Sequence, residues 1–465
     1  MADIPQRFSA RASDYLVDYI SESCDMMIHM ELQFDRRLDA ERLAHATELV
    51  LDAEPVLGCR LVKVHRKLHW ERLGKNEHPV FLLAKDEQEY EKFKSSQIDT
   101  YSGPQLKVCL WRSPDGDHLL LKIAHHTADM GGVKELSAKL SDIYRHLASD
   151  PNYSPEPNVK GSRSLRQALG HLPWYAYPFL SVSWMWIELP TYLHRTVQTL
   201  PCTDGPREPR TYIHRLIPSD HVSALVDYGH EHNATLNDIF VTASLRALSN
   251  MGNWNGYSRL SLETTIDLRR YIPSHHGSAI SNLSTMVFGW PNLGTDPGQD
   301  FLTALDRISV MTTHGKKSWT GLETLSVPLA LYLLCRILPT RYGIKIHKKV
   351  IDLGYCEHIP EHCFSNGGPI APEDVDFGAQ PEMARFLPPT FYPHLPLLFG
   401  LSGYNGTLTL SAGVYPTQKD IAEKFFDAIL KELPVQIQTF TDTKQNVEKE
   451  AQDSSRRRIQ GIDKT

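Results

Sequence analysis

Ala124-His125-His126-Thr127-Ala128-Asp129-Met130-Gly131-Gly132 follows directly on His118-Leu-Leu-Leu-Lys-Ile-Ala124, and the reading of this stretch sets the fold. The run before the histidines is nearly all apolar over the length of a strand, which suits a strand covered on both faces. Ser113-Pro114-Asp115-Gly116 ahead of it is a strong turn signal. A helix is expected from about Val133 to Ala148. Turn, buried strand, short loop and helix make an α/β unit. Histidine changes charge near neutral pH, so a buried strand ending in two imidazoles is suited to proton transfer. An Asp four residues after His125 can fold back to hold the loop, and Gly131 and Gly132 permit φ > 0 or close backbone approach. On spacing alone, a solvated loop with two histidines is an equal reading.

Outward from this unit the pattern continues as mixed α/β. Strands are expected at Met26–Phe34, Cys59–Val64 and Leu106–Trp111, and a helix over Asp39–Asp52. Asp150 to Arg210 carries nine prolines, which forbid long regular helices across much of it. Beyond it come a strand at Tyr212–Ile217, helices over Ser219–His230 and Asn233–Leu248, and strands at Leu260–Ile266 and Leu283–Trp290. Helices are expected near 299–313 and 320–338, and Lys419–Leu433 closes as a helix. Tyr404-Asn405-Gly406 between Leu395–Leu401 and Thr407–Val414 signals a hairpin. The division is an N-terminal lobe 1–165, a Pro- and aromatic-rich crossover 166–210, a C-terminal lobe 211–445 and a disordered polar tail 446–465.

The totals bound the function. A chain of 465 residues with 41% hydrophobic and 22% charged residues can bury a large core in two lobes. Its formal charge of −6 lacks the basic footprint of a nucleic-acid binder. Seven scattered cysteines and no visible secretory signal suggest reduced thiols and a cytoplasmic location. No stretch reaches the about 20 apolar residues of a membrane span. The aromatic-dense Trp174–Ile187, with Trp184 and Trp186, and the apolar run Val327–Cys335 suggest a greasy substrate or peripheral membrane contact.

His125-x-x-x-Asp129 at a strand end, before glycine and a helix, resembles the HxxxD motif of the acyl-CoA-dependent acyltransferase superfamily. That superfamily includes chloramphenicol acetyltransferase, peptide condensation domains, wax-ester synthases and polyketide-associated acyltransferases. Further segments match in order: Asn233-Ala-Thr-Leu-Asn-Asp-Ile, Asp267-Leu-Arg269, Ile280-Ser-Asn-Leu-Ser284, Phe364-Ser-Asn-Gly-Gly-Pro-Ile370 and Asp376-Phe-Gly378. The resemblance implies two chloramphenicol-acetyltransferase-like α/β lobes with mixed sheets and a tunnel between them. It implies that His125 is the general base, that Asp129 pairs with Arg269, and that Gly131 supports the site. Asn282 and Ser284 are expected contacts for the oxyanion or substrate, with a backbone amide near Gly131 in competition. Condensation domains carry a second His and a Gly where this chain has Ala124 and Met130, which counts against peptide condensation.

The expected reaction moves an acyl group from a thioester to an alcohol. Acyl-CoA or an acyl-carrier thioester is the co-substrate, and no metal or bound cofactor is called for. Transfer to an amine from an acyl carrier protein, and a catalytically inactive binding protein, are the alternatives. His358-Ile-Pro-Glu-His362 spells an inverted zinc-protease motif, but Pro360 denies it the helix that would place both imidazoles on one face. A loop entering a strand is expected there.

Overall fold

The computed structural model describes residues 3–435, apart from 23, 66, 75–76, 176–196, 252–253, 299, 318 and 326–360. The expected tail 446–465, the run Val327–Cys335, and Trp184 and Trp186 lie outside the described residues.

Gly116–Ala124 is the middle strand of a five-stranded sheet ordered Met383–Leu387, Met27–Phe34, Gly116–Ala124, Leu106–Ser113, Phe81–Ala84. Phe81–Ala84 runs parallel to its neighbour and the other pairs are antiparallel. Alternate side chains point to opposite faces of a strand. Leu119, Leu121 and Ile123 accordingly meet Leu43, Val50, Val133 and Leu136 of the helices Ala40–Ala53 and Met130–Ser149. Leu120 faces the other way, toward Tyr90 and Cys109. Burial on both faces explains the nearly continuous apolar run, broken only by the buried Lys122.

The second sheet has seven strands. Leu260–Asp267, His362–Pro369 and Leu398–Tyr404 run parallel at its centre. Ser284–Val287, Asn292–Gly294, Thr407–Val414 and Thr211–Ile217 add antiparallel. Helices Leu236–Met251 and Lys419–Glu432 cover it through Phe240, Leu248, Phe425 and Ile429. The hairpin signal is realised: Asn405 and Gly406 both take positive φ, 45° and 78°, as a two-residue turn of this type requires.

Several boundaries differ from the sequence reading. The helix expected from Val133 starts at Met130, because the Asp129 carboxylate caps it by accepting from the Gly132 amide. Of the helix expected over 320–338, only 320–325 is described, and Glu323–Leu325 there is a 3-10 turn. Most consequential is Met383–Leu387. It falls within 211–445, yet it pairs antiparallel with Met27–Phe34 as the edge of the first sheet. Arg385 reaches the buried carboxylate of Glu31 at 2.7 Å, and Phe377 packs edge-on against Phe34 and Tyr144 of the first core. The partner that draws this strand across is more than three hundred residues away in sequence, so no local signal marks it. Among the described residues no helix is long and apolar enough to cross a membrane.

Candidate active site

His125 is the first residue past the buried strand, and its amide still bonds to the Met26 carbonyl at 2.9 Å. Thr127 then closes a tight turn, its amide and hydroxyl both donating to the Ala124 carbonyl. That turn brings the Ala128 carbonyl 2.8 Å from His125 Nδ1. A carbonyl can only accept, so Nδ1 carries the proton and Nε2 keeps its lone pair in the neutral ring. Burial pushes the imidazole below its ordinary range, against the opposing pull of the Ala128 carbonyl and the Asp129 charge. The strand end, the turn and the tautomer together make Nε2 a proton acceptor.

Asp129 does different work. Its two oxygens accept from the Gly132 amide, the Leu283 amide and Arg269 Nη1, with all four distances 2.8 or 2.9 Å. A carboxylate so fully engaged is a strut. Arg269 sits in the 3-10 turn Leu268–Tyr271 that ends the strand Leu260–Asp267. It also donates to Glu135 at 2.9 Å, Asp267 at 3.2 Å and the Ser281 carbonyl at 3.1 Å. These acids hold its charge more firmly than usual despite burial.

Gly131 and Gly132 are inside the first helical turn, and neither has positive φ. Their use is proximity. A Cβ at Gly131 would lie 2.6 Å from Arg269 Nη1, and one at Gly132 would lie 2.9 Å from the Ser281 carbonyl. Arg269 crosses the helix start because nothing stands in its way.

Asn282 and Ser284 do come to His125. The Asn282 amide donates to the His125 carbonyl at 3.3 Å, and its Oδ1 accepts from the Ser284 amide and hydroxyl at 3.1 and 2.9 Å. Sequence reasoning missed Arg163, which lies in the proline-rich connection. It donates to the His126 carbonyl at 2.9 Å and the Ile280 carbonyl at 3.1 Å, while Asp14 accepts from both its terminal nitrogens. Arg163 and Arg269 thus grip the adjacent carbonyls 280 and 281 and tie each to the His125–Asp129 loop. A lone buried Arg in a linker gives no periodic signal, so only its partners reveal it.

His125 lines two neighbouring cavities between the lobes, of roughly 840 and 580 Å³ including their mouths. Ile20, Met26, Ser284 and Met286 are common to both. The larger adds Met130, Lys134, Asp267, Ser365, Gly367, Phe391 and Leu398. The smaller runs past Leu16, Val17, Leu165, Asn282 and Leu325. Lys134 Nζ donates to the Gly367 carbonyl at 2.6 Å and bridges the lobes at the cavity wall.

Other motifs resolve into structure. Thr235 and Asp238 cap the helix Leu236–Met251 reciprocally. His362 opens a strand, with its ring nitrogens 2.9 Å from the Leu200 and Leu397 amides, and His358 lies outside the described residues. Among the described residues no group of three or more His, Cys, Asp or Glu is placed to hold a metal.

No family model and no curated protein matches the chain. Solved structures do. The first condensation domain of the calcium-dependent antibiotic synthetase, in complex with a substrate analogue, is 14% identical with TM-score 0.66, covering 94% of this chain and 98% of that one. Polyketide synthase associated protein 5 from Mycobacterium tuberculosis is 14% identical with TM-score 0.61, covering 91% and 96%. A trichothecene 15-O-acetyltransferase from Fusarium sporotrichioides is 13% identical with TM-score 0.63, covering 92% and 95%. The chain therefore has the two-lobed fold of condensation domains and acyltransferases. Identities this low establish the fold, and the chemistry rests on the residues above.

Proposed function

We propose that this chain is an acyltransferase that moves an acyl group from a thioester, acyl-CoA foremost, to an alcohol, with His125 as general base. The observation that carries the reading is the 2.8 Å bond from His125 Nδ1 to the Ala128 carbonyl beside the two cavities. It leaves Nε2 to take a proton.

In the proposed reaction the acceptor O–H bond breaks, its proton going to Nε2 as the oxygen bonds to the thioester carbonyl carbon. The tetrahedral oxyanion then collapses, the C–S bond breaks, and the departing thiolate takes the proton back from the imidazolium. Asp129 and Arg269 hold the base in place and transfer no proton. The Asn282 amide is engaged on the His125 carbonyl and the Ser284 hydroxyl on Asn282. That supports the Gly131 amide, on the cavity wall, as the oxyanion donor. The reading calls for no metal or bound redox cofactor.

The likeness to condensation domains favours one second reading, an amine acceptor served by an acyl carrier protein. Ala124 and Met130 count against it. A cytoplasmic enzyme with peripheral membrane contact is part of the proposal, supported by Trp174 and Tyr175, which are 81% and 57% exposed.

The test is release of free thiol from a panel of acyl-CoAs offered alcohol and amine acceptors. Acceptor-dependent release that disappears in His125→Ala is expected. Near-normal release by that variant removes His125 from its role, and transfer only from a loaded carrier protein moves the donor to the second reading.

A further inference from the structure

Met130 is the one residue of the His125–Gly132 loop that the chemistry above leaves without a task. It opens the helix Met130–Ser149 and lines the larger cavity beside His125. Its side chain reaches across to the second lobe, where Sδ lies 3.9 Å from Ser365 Oγ. A Cβ at Gly367 would stand 2.8 Å from that sulfur. Gly367 does not have positive φ, so what glycine supplies there is room. At Gly400, on the neighbouring strand, a Cβ would make ordinary contact with Met130 Cε at 3.6 Å. The strand His362–Pro369 thus leaves a notch at Gly367 that the Met130 side chain occupies.

The cavity wall carries methyl, thioether and ring groups from Ile20, Ile28, Met286, Phe391 and Leu398, beside the polar Lys134, Thr265, Asp267, Ser365 and Asn366. The apolar part of such a wall favours a hydrocarbon chain. Methionine is unbranched, polarizable and adaptable, which suits a residue that closes a gap without locking it.

We infer that Met130 is a stopper, seated in the notch at Gly367, that limits the length of the acyl chain this cavity accepts. The inference rests on the acyltransferase reading of the cavity. Met130→Ala removes the atoms beyond Cβ and opens the notch. Gly367→Ala places a methyl against Sδ, so the thioether must move into the space the chain would use.

The experiment is calorimetric binding of butanoyl-, octanoyl-, dodecanoyl- and hexadecanoyl-CoA, which needs no acceptor. The proteins are the unmodified chain, Met130→Ala, Met130→Leu, Gly367→Ala and the Met130→Ala/Gly367→Ala double variant. Affinity of the unmodified chain rises roughly four-fold per methylene up to a limit. Met130→Ala moves that limit longer by about two to four carbons, as tight packing makes the vacated volume usable. Gly367→Ala shortens it, the double variant recovers length, and Met130→Leu keeps it. The same limit in every variant overturns the stopper while leaving the acyltransferase reading intact. Folded unmodified protein that binds no acyl-CoA of any length overturns both.

Discussion

Arg269 holds Asp129 across the lobe boundary, with Nη1 2.8 and 2.9 Å from the two carboxylate oxygens. Both side chains are 5% exposed. The pair fixes the loop that carries His125, and Asp129→Asn turns one acceptor oxygen into an amide facing donors. Breaking a buried pair from one side leaves a charge uncompensated. Glu135 and Asp267 still balance Arg269, so the expected loss is about 3 kcal/mol by urea unfolding. Displacement of the base by as much as an ångström implies a rate loss on the order of 100-fold. A variant that is stable and fully active refutes the strut.

Gly131→Ala tests proximity. The added methyl falls 2.6 Å from Arg269 Nη1, and that guanidinium is too heavily bonded to move freely. A stability loss of about 1–3 kcal/mol is expected, together with loss of transfer. Thermal unfolding and the thiol assay read both. An Ala variant indistinguishable from the unmodified chain shows that Arg269 has room to yield.

Arg163 separates positioning from stability. Arg163→Met frees the His126 and Ile280 carbonyls and strands the buried Asp14 carboxylate. The single variant should lose about 3–5 kcal/mol. Adding Asp14→Asn should restore much of the stability, because no buried charge is then left alone. Transfer should stay depressed in the double variant, with kcat down roughly 10- to 100-fold and acyl-CoA affinity unchanged. Recovery of kcat with stability reduces Arg163 to scaffolding.

The pH–rate profile tests His125 as the proposed base. His125 is pushed below its ordinary value of 6.5 by burial, and only the neutral ring accepts a proton. Log kcat/KM should therefore rise with unit slope at low pH and level off below pH 6.5. Placement of the inflection above that value contradicts the buried neutral imidazole.

His362 predicts an acid sensitivity unrelated to catalysis. Burial takes its pKa down to about 4 from an ordinary 6.5, so the unfolded chain binds a proton that the native state refuses. Stability is full above pH 6.5 and falls by as much as ~3 kcal/mol as pH drops toward 4. Urea midpoints of the unmodified chain and His362→Asn, compared at pH 7 and 4.5, should show the smaller pH dependence in the variant. Parallel curves rule this histidine out.

The sequence by itself determined what local pattern and spacing control. The nearly continuous apolar run His118–Ala124, the Asn405-Gly406 turn and the helix after the motif follow from which faces are covered and which φ values a residue tolerates. The resemblance carried by the ordered motifs implied the pairing of Asp129 with Arg269. Tertiary structure alone decided the rest. The His125 tautomer depends on where the turn sets the Ala128 carbonyl, the Arg163 strut on carbonyls 37 and 117 residues away, and the Met383–Leu387 crossover on pairing with Met27–Phe34. The Met130 notch requires a glycine at 367, on a strand of the other lobe. Apart from the His125 turn, each is a contact between segments far apart in the chain, and the composition of either segment holds no record of the other.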